Sequence, residues 1–326
     1  MSIDRFGRNI TYLRISLTDK CNLRCVYCMP EQMTFRPRQE LLQDDEIFRL
    51  VSIFADLGFD KFRLTGGEPT IRQNVVGIVQ QIANTPGVEE VAMTTNGLML
   101  HELAGPLAKA GLKRINISID TLDPAKFKTI TRWGDVQDVW QGIAAAGEVG
   151  LTVKLNAVIV RDYNDTQDVV DLAQLTLHQP WQVRFIEMMP FGDVADFQQS
   201  GVVSEEELRT TISSSLGPLS LVDNGRLDGE AKLYKLQDAP GTIGFISTVT
   251  QPFCAMCSRA RLTADGRLRL CLLREKEVNL INPIRDGANN RELKEIIEGA
   301  IWWKPWGHGL EEDIIPLNRV MSEIGG

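Results

Sequence analysis

Apolar residues recur along this chain with two alternating periods. Short β-branched and apolar runs predict strands at 12–17, 61–65, 91–94, 114–119, 153–160 and 182–188. Between them the spacing becomes helical. Asp44-Asp45-Glu46 reads as a helix start, Ile47, Leu50, Val51, Phe54 and Leu57 follow on one side, and Gly58 ends the run. Similar patterns lie at 75–82, 100–110, 136–149 and 166–175. Six strand–helix units predict a parallel sheet with helices outside. Six units are too few to close an eight-stranded barrel. The expected fold is therefore α/β, an open partial (βα)6 barrel whose interior another element must cover. After about residue 200 the pattern changes to a helix at 203–216, short strands at 232–236, 244–249 and 267–270, and a helix at 293–301. This predicts two domains: a barrel over 1–200 and a smaller α+β domain over 201–326.

Charge and cysteine usage narrow the chemistry. The net charge of -8 disfavours a nucleic-acid surface, so an anionic ligand would need a local patch of Arg and Lys. No apolar run is long enough for a membrane span. Met1-Ser2-Ile3-Asp4-Arg5 lacks the apolar core of a secretion signal, which points to the cytoplasm and to reduced thiols. The sequons at Asn9, Asn116 and Asn164 are then chance matches. The six cysteines form two sets of three, and in a reducing compartment such clusters read as metal ligands rather than disulfides.

The first set, Cys21-x3-Cys25-x2-Cys28, directly follows the first strand, where barrel active sites are built. Three thiolates hold three irons of a 4Fe–4S cube and leave the fourth open. A zinc site would want a fourth ligand, and no His is near in sequence. Thr65-Gly66-Gly67-Glu68-Pro69 follows the second strand, and its glycines permit close backbone approach to a ligand. There is no Gly-x4-Gly-Lys-Ser/Thr loop and no Gly-x-Gly-x2-Gly, so a nucleotide would bind outside the usual phosphate loops. The second set is Cys254-x2-Cys257-x13-Cys271, with a hairpin expected at Asp265-Gly266 to return Cys271. His101, His178 and His308 do not sit beside this motif, which again favours an open-sited 4Fe–4S cluster over zinc. Arg259 and Arg261 alternate and on a strand share one face. Such a pair suits a phosphorylated ligand, although a solvated strand face is the plainer alternative.

At the first motif the chain resembles the radical S-adenosylmethionine superfamily. Over its whole length it resembles the GTP 3′,8-cyclase family of molybdenum cofactor biosynthesis, in both cysteine motifs and in the Gly325-Gly326 terminus, which that family is thought to bring to the active site. The resemblance implies two 4Fe–4S clusters, on Cys21, Cys25 and Cys28 and on Cys254, Cys257 and Cys271. It implies S-adenosylmethionine contacts from Tyr27, Gly67, Glu68, Ser118 and Met189. For GTP it implies Arg14, Arg63, Thr94, Lys154, Arg259, Ala260 and Arg261, with Arg14, Arg259 and Arg261 as the candidate catalytic residues. Arg161 is the alternative to Lys154, and Arg184 is a further candidate. The implied lyase reaction uses a 5′-deoxyadenosyl radical to take the 3′ hydrogen of the GTP ribose. The ribose carbon radical then bonds to guanine carbon 8, and a reduction and a proton transfer complete (8S)-3′,8-cyclo-7,8-dihydroguanosine 5′-triphosphate. A reducing electron donor is required, cyclic pyranopterin monophosphate synthase acts next, and the family is often homodimeric. Three alternatives remain: a peptide-modifying radical enzyme with an auxiliary cluster, a non-catalytic iron–sulfur redox sensor, and a zinc-stapled binding module.

Overall fold

All six expected strand positions are occupied in the computed structural model, which describes residues 2–191, 201–223, 229–312 and 315–325. They are β1 (Tyr12–Ser16), β2 (Lys61–Thr65), β3 (Glu90–Thr95), β4 (Arg114–Ser118), β5 (Thr152–Ile159) and β6 (Gln182–Glu187). Each pairs parallel with the next, and helices connect them. The first, α1 (Asp44–Asp56), begins where the acidic run predicts. Gln43 is its N-cap, and the Glu46 carboxylate accepts the Gln43 N–H at 2.7 Å. Ile47, Leu50, Val51 and Phe54 are its buried stripe, and Gly58 ends it with φ +93. The helices α2 (Val75–Ala83) and α3 (Leu100–Lys109) follow as expected. Between β4 and β5 there are two helices rather than one: α4 (Pro124–Thr131) precedes α5 (Val136–Glu148). Asp123 caps α4 through the Lys126 N–H at 2.8 Å, with Pro124 in the first turn. Then come α6 (Gln167–Gln174) and α7 (Glu205–Leu216), the latter opened by a Ser204–Glu207 capping box.

The later strands do not form a sheet of their own. They are β7 (Ser220–Leu221), β8 (Lys232–Lys235), β9 (Thr242–Ile246), β10 (Arg259–Leu262), β11 (Arg267–Arg269) and β12 (Glu277–Asn279). The described strands make one sheet in the order β12-β11-β10-β1-β2-β3-β4-β5-β6-β9-β8-β7. Thus β9 extends the β6 edge and β10 extends the β1 edge, both in parallel. The connection from β9 to β10, residues 247–258, must run from one edge of the partial barrel to the other, and it carries Cys254 and Cys257. The Asp265-Gly266 hairpin forms as expected: Gly266 takes φ +71 and β10 pairs antiparallel with β11. A helix at Asn290–Trp302 packs outside. One core runs from Ile10 and Phe54 through Phe62, Ile115 and Phe185 to Leu262 and Ile297. Among the described residues no helix is long and apolar enough to cross a membrane.

Candidate active site

The open face of the barrel is set by strand parity. Residues two apart share a face, and parallel pairing aligns those faces between strands. The register sets Arg14 of β1 beside Arg63 of β2 on one side and Arg261 of β10 on the other. These residues are 6%, 4% and 7% exposed, so each guanidinium needs a partner in place of water. Arg14 forms a short ion pair with Glu230. Arg259 lies 3.4 Å from the same carboxylate oxygen. Arg261 donates to the Gly325 carbonyl, and Arg63 lies 5.4 Å over the Tyr12 ring. Burial disfavours the charge on Glu230, yet Arg14, Arg259, Arg63 and Arg184 outweigh it and hold the carboxyl well below its usual range. Burial, with Arg14 and Arg259 adding repulsion, pushes the pKa of Arg261 well down.

The first cysteine triad lies at the mouth, on the segment leaving β1. Arg24 shapes it by donating to the Cys21 and Leu23 carbonyls, both at 2.8 Å, with its guanidinium packed between Phe35 and Trp133. Burial raises the Cys21 thiol to about 11 and the Cys28 thiol to about 12. The Tyr27 hydroxyl donates to Asp120 at 2.7 Å, and burial lifts Asp120 to about 6. Glu68 is buried and accepts from the Thr70 and Asn96 N–H groups and the Thr70 and Thr95 hydroxyls, at 2.5–3.0 Å. Burial still raises its pKa. The two glycines before it meet the chain itself: a Cβ on Gly67 would stand 2.7 Å from the Asp19 carbonyl oxygen, and one on Gly66 2.5 Å from that of Thr18. Their smallness thus lets the loop after β2 lie against the approach to Cys21.

The second triad comes from the crossing segment and the end of the β10–β11 hairpin. Lys304, 2% exposed, donates to the Arg259 carbonyl at 2.8 Å and to that of Leu270. Arg8 donates to the carbonyls of Cys254, Pro305 and Trp306 at 2.6–2.8 Å. Burial would raise the Cys257 thiol, but Arg259 and Lys304 overcome it and lower the pKa to about 6. The six cysteines are all unbridged, and both triads line one cavity that also takes in Arg14, Arg63, Arg259 and Arg261.

Models of two families fit the chain: the radical SAM superfamily over residues 15–176, and Molybdenum Cofactor Synthesis C over residues 181–310. A GTP 3′,8-cyclase of Desulforamulus reducens is 44% identical over 326 residues, which is 99% of this chain and 100% of that protein. One from Pelotomaculum thermopropionicum is 45% identical over 325 residues, 99% of each. The chain belongs to the GTP 3′,8-cyclase family. Among solved structures it resembles Streptococcus suis SuiB bound to the precursor peptide SuiA, with TM-score 0.58, 14% identity, and coverage of 88% of this chain and 67% of that one. SuiB bound to S-adenosylmethionine gives 0.57 at 13% identity, over 88% and 68%. At such identity the likeness is one of fold alone.

The site of this GTP 3′,8-cyclase family member contains most of the side chains expected from sequence. Tyr27, Gly67, Glu68, Thr94, Ser118 and Met189 line the same cavity. Ala260 turns its side chain to the hydrophobic core, so only its backbone lies between the two arginines. Lys154 is buried on the strand face of Asn156 and Val158, which line the cavity; Arg161 instead pairs with Glu207 at 2.8 Å outside it. Arg184 is buried, with Nε donating to Asn156 at 2.9 Å. His308, distant in sequence from the second motif, lines the same cavity, because the chain after the Asn290–Trp302 helix returns there. Gly325 reaches the C-terminal ends of β1 and β2, where its φ is +84 and a Cβ would meet Thr65 and Ser16; Gly326 lies outside the described residues. Sequence reading missed Glu230, Asp120 and Lys304, and set His308 aside. Each is a single polar residue outside any motif.

Proposed function

We propose that this chain cyclises GTP to (8S)-3′,8-cyclo-7,8-dihydroguanosine 5′-triphosphate, the first step of molybdenum cofactor biosynthesis. The observation that carries the reading is the single cavity joining two unbridged cysteine triads through a wall of buried arginines. Iron–sulfur clusters would be held by Cys21, Cys25 and Cys28 and by Cys254, Cys257 and Cys271. Thiols raised by burial, as at Cys21 and Cys28, give up their protons when iron supplies the missing positive charge. When bound and reduced by an outside donor, the clusters and S-adenosylmethionine would supply the radical chemistry needed to take the ribose 3′ hydrogen.

The chain's own residues do the rest by placement. Tyr27, Gly67, Glu68, Ser118 and Met189 seat S-adenosylmethionine; buried Glu68 is suited to its ammonium group, because a desolvated carboxylate gains most from a cation. Arg14, Arg63, Thr94, Lys154, Arg259, Arg261 and the Ala260 backbone hold GTP. Their guanidinium groups meet the triphosphate in a water-poor setting, where charge-assisted bonds are strongest. Fixing the phosphates fixes the ribose, so the 3′ carbon and guanine carbon 8 stay together long enough to bond. Leu272, Leu273, Ile246 and Met188 on the cavity wall exclude water from the radical. The division into a barrel over 1–200 and a cluster-binding part over 201–326, a cytoplasmic location, an external electron donor, a homodimer, and hand-over to cyclic pyranopterin monophosphate synthase complete the proposal.

An anaerobic assay tests it. Protein reconstituted with iron and sulfide receives dithionite, S-adenosylmethionine and GTP, and products are read by mass spectrometry. 5′-Deoxyadenosine together with cyclised GTP is expected. 5′-Deoxyadenosine with unchanged GTP would move the substrate toward a peptide. Neither product, with both clusters verified, would leave a redox sensor.

A further inference from the structure

One charge in the cavity is not used by the reaction above. Glu230, immediately before β8, is 7% exposed and lines the cavity wall. Its Oε1 makes the short ion pair with Arg14 Nη2 and stands 3.4 Å from Arg259 Nη1. Acceptors are scarce around it. Arg14 Nε, Arg63 Nε and the Thr94 hydroxyl are all buried without a hydrogen-bond partner among the described residues. One carboxylate is thus shared between two guanidinium groups in a row that has donors to spare.

We propose that Glu230 is a resident counter-anion of the phosphate subsite, which competes with the ligand's phosphates for Arg14 and Arg259 and so sets how steeply affinity depends on the number of phosphates. The proposal rests on the reading that the triphosphate binds at these arginines. A guanidinium has a fixed set of N–H donors, so a phosphate reaching Arg14 must displace the carboxylate or share the arginine with it. In either case a negative charge remains within a few ångströms of the triphosphate, and at such spacing like charges in a partly buried site repel strongly. An empty site gains from the arrangement, because buried arginines facing no anion would destabilise the fold. Glu230 therefore keeps the arginines assembled while lowering affinity for what they bind. A purely structural Glu230 would not link the two effects.

The test is calorimetric titration of anaerobically reconstituted holoenzyme with GMP, GDP and GTP, for the wild type, Glu230→Gln and Arg259→Ala. Glu230→Gln is expected to bind GTP about tenfold tighter, equivalent to about 1.4 kcal/mol, with a smaller gain for GDP and the least for GMP. Binding of GTP that is no tighter, or a gain equal for all three nucleotides, overturns the proposal. Arg259→Ala separates the two readings: it is expected to flatten the dependence on phosphate number, and if it leaves that dependence intact the phosphates bind elsewhere, whatever Glu230→Gln does. Should Glu230→Gln fail to fold, Glu230→Asp keeps the charge but withdraws it by one methylene. It is expected to tighten GTP by a smaller factor, and unchanged or weaker binding overturns the proposal.

Discussion

Gly67→Ala tests whether the glycine pair serves the chain or the ligand. The added methyl would stand 2.6 Å from the Lys20 carbonyl carbon and 2.7 Å from the Asp19 oxygen. Ordinary carbon contacts lie near ~3.5–4.0 Å, so the 19–20 backbone must withdraw by about 1 Å. It is not free to do so, since Gly67 N–H donates to Thr18 at 2.7 Å and Glu68 N–H to Lys20 at 2.8 Å. Overpacking costs about 1–3 kcal/mol, and straining two backbone hydrogen bonds adds roughly 1 kcal/mol each. The displacement also passes directly to Cys21. The expected result is a protein that folds less stably and reconstitutes with about half its iron, because the first 4Fe–4S cluster is lost and the second kept. Iron and sulfide analysis with electron paramagnetic resonance reads this, and S-adenosylmethionine cleavage should vanish with the first cluster. Gly299→Ala is the control: nothing lies within 4 Å of its added methyl, and it sits inside the Asn290–Trp302 helix. Helix propensity predicts a gain of about 0.5–1 kcal/mol there. Full iron loading with normal cofactor cleavage in Gly67→Ala would refute the packing argument. Full iron with weakened S-adenosylmethionine binding would show that the ligand alone requires the glycine.

Two other perturbations read different parts of the site. In apoprotein at pH 7, Cys257, lowered to about 6, should be largely thiolate, whereas Cys21 and Cys28, raised to about 11 and about 12, should be thiols. Iodoacetamide should then label Cys257 first, at a rate that levels off above a pH of about 6, and Lys304→Met should move that midpoint upward; peptide mapping that finds Cys21 or Cys28 labelled first would contradict the assignment. Arg319, 7% exposed, bridges Asp265 at 2.9 Å and Glu277 at 2.7 Å. Arg319→Ala strands two carboxylates, and the loss should be about 3 kcal/mol, less what Arg36 and Arg269 recover. The melting temperature should fall and proteolysis should cut the 315–325 segment before the barrel; a tail as resistant as in the wild type would mean that other contacts hold it.

The barrel was legible because its strands bury one face and its helices carry a clean apolar stripe. Ile115 and Ile117 enter the core while Ser118 faces the cavity, and α1 begins and ends where its acidic run and Gly58 say it should. Helix α4 escaped because only Phe127, Ile130 and Thr131 are buried along it, too few for a periodic signal, although Asp123-Pro124 marks its start. The partners of the later strands were not legible. Nothing in the alternation of Thr242–Ile246 or Arg259–Leu262 says that one will join β6 and the other β1. The cysteines were readable from spacing, since a cluster constrains its ligands locally. Glu230 and His308 were not, because each reaches the site through tertiary packing and neither has a local partner to announce it.

That choice of strand partner explains why the site behaves as one unit. Strand β10 lies beside β1, so Arg261 enters the same row as Arg14 without any loop to place it. The segment that must cross from β9 to reach β10 brings Cys254 and Cys257 over the barrel mouth, and the hairpin that follows returns Cys271. Arg261 then fixes the Gly325 carbonyl, which holds Gly325 at the barrel mouth beside Thr65 and Ser16. Phosphate-type donors, second cysteine triad and tail all depend on a single four-residue strand. An acidic chain can thus hold a highly anionic ligand: its excess negative charge lies elsewhere, while one strand pairing concentrates the arginines where burial makes them hardest to leave unpaired.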